Sequence, residues 1–427
     1  MNFDATMAWL FIVTSLVNIA HFAFYLVGAN AYDITRYRNL SKYKNKRWYY
    51  KAPLVSVIIP TYNGSAVIER CLDSIRRNNY INIETIVHND LSTDNLASVV
   101  RAYKKKYPNF NLRLIDRRTR SGKAGGANYA IKRYAKGEFV MTLDDDSVLK
   151  YDAIKNAVAY FRNPKVVGVA ANVRMIEEKS ALGLLQRFEH IINYRSKKFY
   201  SVTNCEMIIG GVASTYRRSV MKKVGYYSVD TITEDIGLSM KIVALGNKEH
   251  RLVYGVDVLA STEPVETFQI LLKQRYRWKL GNLQNIRQQV GLLFNPSRKY
   301  TKSLTFYRMP FAFFGELLIL IEPIVVLYLI FRSIQVLNPV VFVGAYLTIM
   351  VYIMLIIWPD EHLNIWGKVR SSAYAPSMYF VFYLMNVVQL IALIRCFINF
   401  DKVLSPKTGA SHWATFTRTA KQNVVVT

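Results

Sequence analysis

Three aspartates in succession, Asp144-Asp145-Asp146, crowd like charges that are costly to hold together unless a cation sits among them. They follow the apolar run Phe139 to Leu143, which reads as a strand, and alternate residues at a strand end reach the same side. Asp144 and Asp146 are therefore two hard oxygen ligands suited to Mg²⁺ or Mn²⁺, with a phosphate supplying the rest of the shell. A solvated acidic turn, or a helix N-cap before Ser147, is the alternative without a metal. In Ser121-Gly122-Lys123-Ala124-Gly125-Gly126-Ala127-Asn128, Lys123 can place an ammonium against an anionic ligand at the N-terminus of the following helix. The run does not match GxxxxGK[ST], so a P-loop is unsupported, and a plain glycine turn is the competing reading.

Farther along, Thr233-Glu234-Asp235 sits in a polar break between Gly225-Tyr226-Tyr227 and the helical Ile236 to Ala244. Asp235 alone reads as a helix cap, a task Thr233 performs equally well. Some way downstream, Gln274, Arg277 and Trp278 lie at i, i+3 and i+4 within the helical stretch Val265 to Val290, on one face. A guanidinium forks onto a diphosphate, and an indole face suits the C–H surface of a sugar ring. An amphipathic helix lying on a membrane, its Arg and Trp at headgroup level, explains part of the same pattern.

The elements that position these groups follow from periodicity. Leu54 to Pro60 is a continuous β-branched run, the signature of a buried parallel strand, and Asn63-Gly64 turns the chain. Ala66 to Arg77 carries Val67, Ile68, Leu72 and Ile75 on one helical stripe. Further strands are Ile83 to His88, Leu112 to Ile115 and Phe139 to Leu143, with a turn at Ser121 to Gly126 and a helix to Tyr134. Strand and helix in alternation predict an α/β sheet covered on both faces, with ligands beyond the carboxyl ends of the strands. The triplet falls at one such end, and Asn89-Asp90, with Asp94 behind, falls at another.

Hydropathy places this sheet against a membrane. Ala8 to Tyr32 carries no charge and, at about 25 residues, is long enough to cross a hydrocarbon layer. The only charge ahead of it is Asp4, which argues against a signal peptide. The basic flank Arg36, Arg38, Lys42, Lys44, Lys46, Arg47 and Lys51 predicts that the N-terminus is outside and the chain from about residue 34 inside. Pro310 to Phe331, Pro339 to Trp358 and Pro376 to Leu393 are three further apolar stretches. Glu316 and Glu322-Pro323 in the first of them are expensive in lipid unless they face protein or water. If all three cross, the tail with Lys402, Lys407, Arg418 and Lys421 ends outside, against the positive-inside tendency.

With 427 residues, 52% of them hydrophobic, the chain is neither a small disulfide scaffold nor a disordered tail. Cys71, Cys205 and Cys396 show no CxxC or metal-ligand spacing and read as reduced thiols. The net charge of +27 suits membrane flanks and an anionic substrate, and no nucleic-acid-binding signature accompanies it.

In this order the pieces resemble the processive, membrane-embedded, inverting family 2 glycosyltransferases, the synthases of poly-N-acetylglucosamine, chitin oligosaccharide, hyaluronan and cellulose. The shared pattern is an early Asp, a DxD, an (E/D)D and a QxxRW box followed by membrane helices, and it covers residues 53 to 285 by motif. The resemblance implies a GT-A (Rossmann-like) α/β cytosolic domain with N- and C-terminal transmembrane helices. It divides the chain into a transmembrane helix at 1–33, a GT-A domain at 34–262, interfacial helices with QxxRW at 263–308, transmembrane helices at 309–400 and a basic tail at 401–427.

The roles it implies are specific. Pro60-Thr61-Tyr62-Asn63 and Asp90 line a uridine pocket, and Lys123 and Asp145 join them at the nucleotide. Asp144 and Asp146 hold Mg²⁺ or Mn²⁺, and Asp235, beside Glu234, is the general base toward the acceptor hydroxyl. Gln274, Arg277 and Trp278 close over the diphosphate and stack the acceptor sugar, while Gly210 to Arg218 matches the acceptor-side segment. The run Thr233-Glu234-Asp235-Ile236 with Leu238-Ser239 resembles the poly-N-acetylglucosamine synthases most, which makes UDP-GlcNAc the first choice of donor and a growing polysaccharide the acceptor. Two departures are Asn89-Asp90-Leu91-Ser92-Thr93-Asp94 in place of DDGS(T/S)D, and Gly64 where many relatives carry an acid. Expected partners are thus the UDP-sugar, the polymer and the lipid bilayer of the cell membrane, with no nucleic acid and with an accessory membrane subunit left open. Hyaluronan or glucan synthesis, single-sugar transfer to a lipid acceptor, and a non-catalytic membrane scaffold are the competing readings.

Overall fold

The structure, a computed structural model, describes residues 3–43, 52–176, 180–336 and 340–404. The basic flank from Lys44 to Lys51 and the tail beyond Leu404 lie outside the described residues.

Among the described residues eight strands form one mixed sheet: β1 (Val55–Thr61), β2 (Ile83–Asn89), β3 (Leu112–Asp116), β4 (Phe139–Thr142), β5 (Val148–Leu149), β6 (Val166–Met175), β7 (Ser214–Arg217) and β8 (Arg251–Thr262), in the order β3-β2-β1-β4-β7-β6-β8-β5. The β3-β2-β1-β4 half is parallel, as its continuous apolar runs require. β7 enters antiparallel to both β4 and β6, which separates a nucleotide-side half from a second half built on β6 and β8. Alternation within β1 feeds two cores: Ile58 packs on one face of the sheet with Ile86 and Val140, Val57 and Ile59 on the other with Val87 and Met141.

Helices cover both faces: α2 (Ile68–Arg76), α3 (Leu96–Lys106), α4 (Gly122–Arg133), α5 (Ala153–Tyr160), α6 (Ala181–Val202), α7 (Arg218–Lys223), α8 (Glu234–Ala244) and α9 (Phe268–Gln288), after the long N-terminal α1 (Phe3–Tyr43). The glycine run is not a turn, as read from the sequence, but the first turn of α4. The Asp90 carboxylate accepts from Ser121 N, Ser121 Oγ and Gly122 N at 2.6, 2.8 and 2.9 Å, satisfying the amides that a helix start leaves open. Gly126 lets α4 sit on β2, since a Cβ there would stand 2.6 Å from the His88 ring.

Among the described residues four more helices follow: α10 (Met309–Val336), α11 (Val340–Ile357), α12 (Ile365–Ile398) and α13 (Phe400–Leu404). Among the described residues, Phe3–Thr35 is long and apolar enough to cross a membrane. Ser303–Glu316 and Leu318–Arg332 meet that measure only as a pair bent by 56°, and Tyr346–Ile357 and Leu384–Ile398 are apolar but shorter. The acids of α10 face protein: Glu316 accepts from Lys279 Nζ of α9 at 2.7 Å, and Glu322 from Asn386 Nδ2 of α12 at 3.3 Å. That answers the solvation cost their positions raise. The first residues of the expected tail are not free: α13 lies along α9, where Gln284 Nε2 donates to Lys402 O at 2.9 Å.

Candidate active site

The carboxyl ends of β1, β2 and β4, the start of α4 and the start of α8 converge on one cleft. Asp144 to Asp146 leave β4 in a tight turn closed by Ser147 N donating to Asp144 O at 3.0 Å. A short strand, β5, follows rather than a helix, so the triplet is not an N-cap. Asp145 is buried at 1% exposure, which no solvated acidic turn allows. Asp146 Oδ1 takes the Ser147 and Thr262 hydroxyls at 3.1 and 3.4 Å. Burial and then the neighbouring Asp144 charge raise the Asp146 carboxyl to about 7. A pair that resists carrying both charges in a buried cleft is what a divalent cation relieves. Among the described residues no group of three or more His, Cys, Asp or Glu is placed to hold a metal ion by itself.

Lys123, projected from the first turn of α4, bridges the cleft. Its Nζ lies 2.5 Å from Asp144 Oδ1 and 3.6 Å from Glu234 Oε1. Burial works against its charge, but Asp144, Glu234 and Asp235 outweigh that and hold the ammonium protonated well above its usual range. Asp235 is on the same side: a Cβ on Gly211 would stand 3.3 Å from Lys123 Nζ and 3.5 Å from Asp235 Oδ2. Asp144, Lys123, Gly211 and Asp235 thus border one space.

Asp235 and Glu234 occupy the first turn of α8, where the helix dipole favours acids. Thr233, at the cap position, makes no side-chain cap bond, while Asp235 Oδ1 accepts from its neighbour Ile236 N at 2.9 Å. Burial, then Glu234, raise Asp235 to about 6 against the opposing pull of Lys123. A carboxylate near this range is a better proton acceptor than an ordinary aspartate and still ionised at neutral pH.

The residues expected around a nucleobase are spread along the β1 and β2 ends. Thr61 is buried, and the Tyr62 ring lies beneath the Arg120 guanidinium at 3.9 Å. Asn63 adopts a positive φ of 53° and accepts from Thr93 N at 2.8 Å; Asp94 Oδ2 accepts from Ser65 N at 2.9 Å. Asp90 is fully buried with its oxygens on the α4 start, and Asp94 ties the β1 loop to the β2 loop. Gly64, the departure from the acid of many relatives, has a local reason. A Cβ there would fall 2.2 Å from Asp145 Oδ2 and 2.7 Å from Thr61 Cγ2. Gly64→Ala is expected to lower stability by about 1–3 kcal/mol, the cost of overpacking. Thermal melting checks this against Gly210→Ala, where nothing lies within 4 Å of the added carbon.

On α9, Gln274 and Arg277 are half-buried and Trp278 is partly exposed. The Gln274 Oε1 atom is buried with no hydrogen-bond partner among the described residues. The residue between them, Arg275, was not read from the sequence. It is 2% exposed, pairs with Glu189 of α6 at 2.6 Å and lies 4.2 Å from the Trp278 ring, fixing the indole from behind. Its partner stands 86 residues away, which no local pattern signals. Tyr227 was likewise missed as a cleft residue: its hydroxyl lies 3.0 Å from Thr142 Oγ1, and its backbone exchanges two 2.9 Å hydrogen bonds with the Asn128 side chain.

α9 is clamped to the segment that presents Asp235. Asn285 Nδ2 donates to Thr231 Oγ1 and Thr233 Oγ1 at 3.0 Å each, and Gln284 Oε1 accepts from Ile232 N at 3.0 Å. Gly281 permits the contact, since a Cβ there would sit 2.2 Å from Thr233 Oγ1. The QxxRW helix and the Asp235 helix therefore form one packed unit.

Comparison with known proteins matches this architecture. The family described as Glycosyl transferase family 2 matches residues 56–225. A poly-beta-1,6-N-acetyl-D-glucosamine synthase of Staphylococcus epidermidis is 33% identical over 259 residues, covering 60% of this chain and 60% of the relative. The Staphylococcus aureus synthase of the same name is 32% identical over 229 residues, covering 53% of this chain and 54% of the relative. The chain thus spans less than two thirds of the length of these curated relatives. A solved mannosyltransferase from Pyrobaculum calidifontis, in complex with GDP-Man and Mn²⁺, superposes with a TM-score of 0.58 at 20% identity, covering 92% of this chain and 99% of that one. The fold is the GT-A glycosyltransferase fold with a mixed sheet.

Proposed function

From a chain that carries a family 2 glycosyl transferase domain at residues 56–225 and resembles poly-beta-1,6-N-acetyl-D-glucosamine synthase, we propose an inverting, UDP-sugar-dependent hexosyltransferase that polymerises a β-linked polysaccharide, most readily from UDP-GlcNAc, at the cell membrane. The observation that carries the reading is the meeting of Asp144, Lys123, Glu234 and Asp235 around one cleft. Asp144 and Asp146 would hold Mg²⁺ or Mn²⁺ on the donor diphosphate, and such an ion supplies charge stabilisation to the departing nucleotide. The complex of the Pyrobaculum protein with GDP-Man and Mn²⁺ supports that assignment.

The chain's own groups do the rest. Lys123 neutralises the acids of the cleft and faces the diphosphate, and the Thr61–Asn63 loop with Asp90 and Asp145 shapes the nucleotide side. Asp235, ionised at neutral pH, takes the proton of the acceptor hydroxyl as that oxygen attacks the anomeric carbon from the face opposite the leaving group, so an α-linked donor gives a β bond. Arg277 and Gln274 close over the diphosphate, and Trp278, braced by Arg275, stacks the acceptor sugar.

α1 spans the membrane and α10 to α12 span with it as a bundle, the catalytic domain lying on the cytosolic side. The polar contacts Lys279–Glu316 and Asn386–Glu322 support a hydrophilic lining through which the growing chain leaves. Membranes containing the full chain, incubated with a panel of labelled UDP-sugars singly and in pairs, test the proposal. High-molecular-weight product from UDP-GlcNAc alone is expected, and EDTA should abolish it while added Mn²⁺ restores it. Transfer of single sugars only, or product formed equally well in EDTA, would overturn the polymerase and the metal assignments respectively.

A further inference from the structure

The turn that carries the three acids is held from two sides, by α2 and by the end of β8. From α2, Arg70 Nη2 donates to the Asp146 carbonyl at 3.2 Å, and Cys71 Sγ reaches the Asp144 carbonyl at 3.6 Å. From β8, Thr262 Oγ1 donates to Asp146 Oδ1 at 3.4 Å. The next residue, Glu263, closes the ring: its Oε1 accepts from the same Arg70 nitrogen at 2.6 Å, across 193 residues of chain. One guanidinium nitrogen thus joins α2, the backbone of the acidic turn and the strand end. β5, which leaves the turn, is fastened to both sides as well. Val148 and Leu149 pair with Ser261 and Ala260 of β8, and Leu149 N donates to Ser74 Oγ of α2 at 3.1 Å.

An ion pair between solvated side chains contributes little to any structure. This one is different in two respects. Its side chains are only 15% and 21% exposed, and its donor nitrogen is shared with a backbone carbonyl of the acidic turn. Glu263 therefore reaches Asp146 along two routes, through Arg70 to the Asp146 backbone and through its chain neighbour Thr262 to the Asp146 carboxylate. Both routes fix where that carboxylate stands.

We propose that Glu263 and Arg70 are positioning residues for the donor's divalent cation: the pair holds the Asp146 end of the acidic turn in place, so that Asp144 and Asp146 receive the ion without first having to be ordered. The proposal rests on the reading that these two aspartates hold Mg²⁺ or Mn²⁺. Groups that orient a metal's ligands are worth about tenfold or more in metal affinity. The alternative is that the pair acts only through its charge. In that case removing Glu263 weakens cation binding and removing Arg70 strengthens it. If the pair works by holding the turn, both removals weaken binding, and removing both costs no more than removing either.

The test measures Mn²⁺ binding to the purified full chain in the presence of UDP, through the electron paramagnetic resonance signal of the free ion. The wild type is compared with Glu263→Gln, Arg70→Met, the double variant and Asp146→Asn, and thermal melting checks that each is folded. Binding about tenfold weaker in both single variants, and no weaker in the double, is expected. Glu263→Asp keeps the charge and shortens the reach by one methylene, so it also weakens binding if position is what counts; it decides alone should the other variants not fold. Tighter binding in Arg70→Met, or wild-type binding in Glu263→Gln or in Glu263→Asp, would overturn the proposal, and the metal assignment would still stand if Asp146→Asn had lost the ion. Wild-type binding in Asp146→Asn would overturn both.

Discussion

Asp235→Asn leaves a chain that binds UDP-sugar and makes no detectable polymer. The amide keeps the size and the start of α8 but cannot take a proton, and a positioned base contributes about 10²- to 10⁴-fold. Turnover should fall by that factor while the donor dissociation constant stays within about twofold, because the donor is held by the other side of the cleft. A second signature accompanies it. As the proposed base Asp235 has to be ionised, and its carboxyl is raised to about 6 by burial and by Glu234. The wild-type rate is therefore full above that value and lost as pH falls through it, a limb absent from any residual Asp235→Asn activity. Substantial synthesis by the variant would remove Asp235 from the base role.

Gly281→Ala is expected to be nearly as damaging, although Gly281 lies on α9 and not among the acids of the cleft. The added carbon would stand 2.2 Å from Thr233 Oγ1 and 2.6 Å from Thr233 Cγ2, two residues before Asp235. Either α9 or the Thr231–Thr233 segment must yield, and a displacement of about 1 Å in a catalytic group costs about 10² in rate. The turnover number should drop by that order with donor affinity little changed. Adding Thr233→Ala removes the two nearest of the three crowded atoms, leaving Cβ at 2.8 Å, and should restore part of the loss, a non-additivity that a generally unstable protein would not show. Steady-state kinetics of the two single variants and the double variant decide the matter. Wild-type turnover in Gly281→Ala would show that the two helices are not coupled in catalysis.

The strands and the position of the acids at the end of β4 were legible in the sequence because their signals are local. The apolar runs at Leu54, Ile83, Leu112 and Phe139 appear as β1 to β4 within a residue or so of the expected bounds, and the acids follow β4 directly. The glycine run was misread as a turn because what makes it a helix start is Asp90, 31 residues away. The antiparallel entry of β7 into the middle of the sheet left no trace in its four residues, since pairing between distant strands is set by topology rather than by composition. Arg275 and Tyr227 escaped for a related reason: each gains its meaning from a partner on another element, Glu189 and Thr142. The apolar C-terminal stretches were read at nearly the right places, but α12 begins at Ile365 and runs through Pro376, where the hydropathy pattern suggested a start. Proline is tolerated there without ending the helix.

Titration of UDP into the purified full chain with saturating Mn²⁺, carried out on the wild type, Asp146→Asn and Asp235→Asn, tests most directly whether the paired acids and the distant base serve one donor in different ways. Loss of affinity by about tenfold or more in Asp146→Asn, with Asp235→Asn binding as the wild type does, is the predicted result. Undiminished binding by Asp146→Asn, or an equal loss in Asp235→Asn, would contradict it.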